Sequence, residues 1–75
     1  MTVENIIPAV GSVLVELEVA GGNTGTVIKV GREVYRVKPG TQAIFNRASF
    51  VELDLEQAPK VFGVLNATDV VATVV

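Results

Sequence analysis

No cysteine, histidine or tryptophan occurs in the 75 residues, and aromatic side chains make up only 5% of them. Each gap removes a class of explanation. Without cysteine there is no disulfide to staple a short chain and no thiolate to hold a metal. Without histidine or cysteine, general acid–base work falls to Asp, Glu, Lys or Tyr. Ser49 and Thr68 are hydroxyls near charged groups, but neither has a base at a recognisable spacing. No catalytic residue and no cofactor-binding residue is therefore assigned. Positive charge is sparse too, with six Lys and Arg against eight Asp and Glu and a net charge of −2. Only Lys29, Arg36 and Lys38 offer a local cluster, which is little for following a phosphate backbone. No run approaches the roughly 18 apolar residues of a membrane span. The N-terminus lacks the basic and compact apolar regions of a secretory signal.

What is present is aliphatic. Hydrophobic residues are 49% of the chain, and valine, whose branched Cβ suits the pleated sheet, is the largest part. The expectation is a single all-β domain over 1–75, near the lower size limit for a self-sufficient core. Self-association is the remaining common way to bury more surface.

Taken in order, Met1 to Ala9 reads as an extended N-terminal arm, because Pro8 restricts its neighbour and cannot donate to a ladder. Gly11 to Ala20 alternates, with Val13, Val15, Leu17 and Val19 on one side and Leu14, Glu16 and Glu18 on the other. A hairpin loop over Gly22–Gly25 would then set Leu17 opposite Val30, Val19 opposite Ile28 and Glu18 opposite Lys29. The glycines run into a strand rather than a helix, which argues against a phosphate cradle. Val30-Gly31-Arg32-Glu33 reads as a type II′ hairpin turn, pairing Ile28 with Tyr35 and Thr26 with Val37 and turning Tyr35 inward. Lys38-Pro39-Gly40-Thr41 has the residue order of a type II turn. Further strands are expected at Gln42–Asn46, Phe50–Leu55, Val61–Leu65 and Val70–Val75, with turns at Asn46–Ser49 and Asn66–Asp69. Glu52, Asp54 and Glu56 read as the solvated face of a strand; they lack the spacing of a calcium loop, so no metal site is assigned. The uncharged C-terminal strand calls for a pairing partner.

The order of these segments resembles the GroES-type co-chaperonin family over nearly the whole chain. The likeness rests on Pro8 followed by Val13-Leu14-Val15-Glu16, on Gly25-Thr26-Val27-Ile28-Lys29-Val30-Gly31, on Val37-Lys38-Pro39-Gly40-Thr41-Gln42-Ala43-Ile44-Phe45-Asn46, and on Asp69-Val70-Val71-Ala72-Thr73-Val74-Val75. Thr41 and Ala43 stand where the family signature has Asp and Val. The resemblance implies a small, partly irregular β-barrel with exposed terminal strands, assembling as a ring in which terminal strands of neighbouring subunits pair. The corresponding interface residues here are Val3, Ile6, Ile7, Val71, Thr73 and Val75. Two family features are missing. The long mobile loop that docks on a chaperonin is reduced to Ala20–Thr24, and the roof hairpin is trimmed to Gly31-Arg32.

Three roles compete on this reading. The first is a non-enzymatic ring- or array-forming structural protein, such as a capsid decoration or head-assembly component of a phage virion; compactness, not a motif, suggests the virion. Its partners would be copies of itself and a capsid protein, in the cytoplasm or the virion. The second is a reduced co-chaperonin that caps a chaperonin through another surface. The third is a nucleic-acid-binding small barrel, from a passing likeness of Gly21 to Val30 to KOW-type modules. It is disfavoured by charge and by the shortage of stacking aromatics.

Overall fold

The computed structural model describes residues 3–19, 21–53 and 60–74. Alternation and β-branched residues place six strands: β1 Ser12–Leu17, β2 Thr24–Val30, β3 Gln42–Phe45, β4 Val51–Leu53, β5 Phe62–Asn66 and β6 Val70–Val74. They form one antiparallel sheet in the order β4-β5-β1-β2-β3-β6. The remaining regular structure described is three single 3-10 turns, at Val3–Asn5, Arg47–Ser49 and Ala67–Asp69. The chain is all-β, as its valine content implies. β4 and β6 end the sheet and do not pair with each other among the described residues, so hydrogen bonds do not close the sheet into a barrel.

β1 is buried along nearly its whole length because it lies mid-sheet and is covered on both faces. On one face Val13, Val15 and Leu17 join Val27, Val37, Ala43, Phe45, Phe50 and Leu65 in the main cluster. Phe45 and Phe50 stack there with centroids 5.4 Å apart. The Phe50 ring occupies the space where a side chain at Gly63 would stand, so this glycine is a packing requirement. On the opposite face Leu14 is fully buried, with Lys29 and Val64 as its neighbours across the ladders. The N-terminal segment crosses beside it. Lys29 Nζ donates to the carbonyls of Glu4 (2.9 Å) and Ile6 (3.1 Å), and Pro8 is buried. The arm is thus tied down by its own domain, and its first described turn is 3-10 rather than an extended edge strand.

The expected central hairpin does not form. After β2 the chain stays alongside the start of β1, where Gly31 N donates to Ser12 O (2.8 Å) and Gly11 N to Arg32 O (2.9 Å). Backbone carbonyls of Pro8 and Ala9 fill the place of a Gly31 side chain, so this glycine serves close approach and not a positive-φ turn. The left-handed residue is Glu33, at φ 64°. Residues 33–38 form no strand, and Tyr35, expected inward, is 81% exposed. Val37 does point inward. The real neighbour of β2 is β3, with Thr26 opposite Gln42.

β1 and β2 do pair, but the register differs from the expected one. Val13 opposes Val30, Leu14 opposes Lys29, and Leu17 opposes Gly25. β2 begins at Thr24, and the missing side chain of Gly25 lets the Glu16 carbonyl and the Val15 side chain approach. A bulge between Leu14 and Val15 leaves Ile28 unmatched, so Val30 and Val27 both reach the core although they are an odd number of residues apart. The expected Glu18–Lys29 pair is therefore absent: Lys29 holds the arm, and Glu18 accepts from Gln42 Nε2.

Local turn chemistry behaves as its residue types dictate. Gly40 has φ 90° and Thr41 N closes on Lys38 O at 3.3 Å, as a Pro-Gly turn requires. Asn46 caps the following turn by accepting from Ala48 N at 3.2 Å. Of the strand expected at Phe50–Leu55, β4 covers Val51–Leu53; residues 54 and 55 lie outside the described ones, as does Val75.

Candidate interaction edge

β6 is held on one side by β3, through Gln42–Val74, Ala43–Thr73, Ile44–Ala72 and Phe45–Val70. Its other side has no strand beside it among the described residues. Val70 packs against the core, whereas residues 71–74 are exposed. The shift between Ile44 and Phe45 leaves Val71 without a ladder partner and re-aims it, so that it is 71% exposed. Edge strands usually carry charge or proline that discourages a further strand. Val70-Val71-Ala72-Thr73-Val74 carries neither.

Next to this edge, Arg36 and Val37 from the long 31–41 connection join Ala67 and Val70–Thr73 in lining an open groove of about 180 Å³. A second groove of about 170 Å³ continues past Arg36 and Ala67 to Gly11, Glu33, Val34, Tyr35 and Thr68. Arg36 is the charged residue among those lining the groove beside β6. At the other end of the sheet, β4 presents exposed Val51 and Glu52. A groove of about 300 Å³ beside it is lined by Ser12, Ser49, Val51, Val64, Leu65 and Asn66. Arg47 lies over the Phe50 ring at 4.7 Å, which keeps that cation beside the core ring.

The residues expected at an interface fall in two places. Val71 and Thr73 sit on the open edge of β6, both exposed. Ile6 and exposed Ile7 belong to the segment that Lys29 binds beside β2, which is two strands away from β6 in the sheet order. Val3 lies in the first 3-10 turn, and its side chain lies outside the described ones, as does Val75. Arg36 and the β4 edge were not among the interface candidates. Only the alternation of Val51-Glu52-Leu53 and the clustering of positive charge on 32–38 signal them in the sequence.

Among the described residues, no group of three acidic, histidine or cysteine side chains gathers as a metal site. No helix there is long and apolar enough to cross a membrane. Comparison with models of known protein families gives no match, and comparison with curated proteins gives none either.

Proposed function

We propose that this protein is a non-enzymatic, self-assembling structural module that builds rings or arrays by strand addition at β6. The observation that carries the reading is the uncharged, exposed outer edge of β6, with Val71 and Val74 turned to solvent. Each ladder hydrogen bond is worth about 0.5–1.5 kcal/mol net, and burying an exposed valine adds about 1.5–3 kcal/mol. Association costs about 4–15 kcal/mol in lost freedom. One short ladder therefore gives a weak pair, and stable assembly follows when each copy makes two contacts. That arithmetic favours a ring or array over an isolated dimer. The resemblance to GroES-type co-chaperonins supports the same reading, since that family assembles through terminal strands, and the shortness of the 18–23 connection speaks against chaperonin docking. A virion role for such an array, as decoration or head-assembly protein, belongs to this proposal and rests on size.

Native mass spectrometry with sedimentation velocity tests it. The wild-type chain is expected as a defined oligomer, and V71K, which adds a charge at the unpaired bulge position, as a monomer with an intact β spectrum. A wild-type protein that stays monomeric at high micromolar concentration removes the reading.

A further inference from the structure

The reading above leaves open what lies against β6. Resting on it, we infer that the occupant is the β4 edge of a second copy, so that the chain assembles head to tail and each copy uses two different edges. Three observations meet here. The regular part of β6, Ala72–Val74, has the same length as β4, Val51–Leu53. Each edge presents exposed valine, Val74 and the neighbouring Val71 on one and Val51 on the other. The charges are opposite: Arg36 lines the groove along β6, while β4 carries exposed Glu52.

The alternatives pair like with like. Two β4 edges joined about a two-fold axis set Glu52 near its own copy, and like charges facing across a ladder are unfavourable. Two antiparallel β6 edges centred on Ala72 bring both Arg36 side chains to one side of the joint, since each lines the groove over Val70–Thr73. They would also leave Val51 and Glu52 without a counterpart. A heterologous joint uses both edges at once and continues the six-stranded sheet from copy to copy, closing into a ring or running on as a filament.

Blocked copies distinguish the arrangements. V51K/E52K spoils β4 and leaves β6 native; V71K/R36E spoils β6 and leaves β4 native. All four positions lie outside the buried core cluster, and circular dichroism with thermal melting verifies folding. Head-to-tail assembly predicts that each variant alone is a monomer and that a mixture at high micromolar concentration gives a weak one-to-one heterodimer, held by its single joint, by native mass spectrometry. If V51K/E52K alone forms a dimer while V71K/R36E does not, β6 pairs with itself; the inference falls and the assembly reading stands. If both variants keep the wild-type oligomer, another surface is used and both fall. A measurement free of variants supports the same decision. Raising sodium chloride from about 50 to about 500 mM should weaken wild-type association about threefold or more, because the matched charges are screened. Association indifferent to salt overturns the charge matching.

Discussion

Gly63 shows how much a single absent side chain decides in this core. The Phe50 ring lies against its backbone and stacks on Phe45, so any Cβ there would displace an aromatic ring from the centre of the cluster. Overpacking of this kind costs about 1–3 kcal/mol. G63A is expected to lower the unfolding free energy by that amount, seen as a lower urea midpoint with an unchanged denaturant slope. An unchanged midpoint would mean that the ring has room to shift. The sequence offers no sign of this role, because a glycine inside Phe62-Gly63-Val64-Leu65 looks the same whether or not a ring leans on it. Gly31 and Gly40 divide in the same way. The Pro-Gly pair declares a turn through its own dihedral preferences, and Gly40 takes the expected positive φ. Gly31 is demanded by a carbonyl more than twenty residues earlier in the chain, which no local rule reports.

At the scale of elements, Lys29 governs how the N-terminal segment lies. A lysine in a strand would ordinarily face solvent or a cross-strand carboxylate. Here its ammonium donates to two carbonyls of the arm, and Leu14 beside it is sealed from water. Hydrogen bonds made by charged groups contribute about 1.5–3 kcal/mol when buried and less at a partly exposed site such as this. K29M keeps the aliphatic stem and removes the donor. It is expected to destabilise the fold by about 1 kcal/mol and to speed protease cleavage after Glu4 severalfold. If cleavage there is no faster than in the wild type, something other than Lys29 holds the segment. Element positions were largely legible beforehand. β2, β3, β5 and β6 fall within a residue or so of where alternation puts them, β1 ends at Leu17, short of the alternation that runs on past it, and the Asn46 and Ala67 turns occur where side-chain caps and turn formers stand. What alternation did not reveal was the bulge at Ile28, which changes the face of β2 midway, so that Val27 lies in the core and Val30, partly buried, packs against it.

For the whole molecule, the two unlike ends of the sheet are the consequential feature. A domain whose β6 edge is closed by another copy is stabilised by association, so its melting temperature rises with concentration. A chain of this size gains roughly 4–8 °C per kcal/mol. The wild type is therefore expected to melt several degrees higher for each tenfold rise in concentration, and V71K to melt at a temperature independent of concentration. Equal, flat behaviour in both proteins would indicate that β6 remains open in solution. Deleting 71–75 would be a poorer probe, because β6 is also the strand that covers β3.

The amino-acid order alone determined that the chain is all-β, where most of its strands begin and end, and which turns its Pro-Gly and Asn positions make. Those properties come from dihedral preferences and from neighbours one to four residues apart. Only the folded arrangement decided which strand lies beside which, and in what register. The stretch over 33–38 alternates well enough to be a strand, yet β3 takes the place beside β2, because Gly31 continues along β1 and the Gly40 turn returns Thr41 to Val27. Pairing energy depends on what lies across the ladder, and that is set by chain closure over tens of residues. The same reason applies to the candidate edge: an uncharged C-terminal strand was visible in the letters, but the groove that sets Arg36 beside it exists only once residue 36 is folded against residues 70–73.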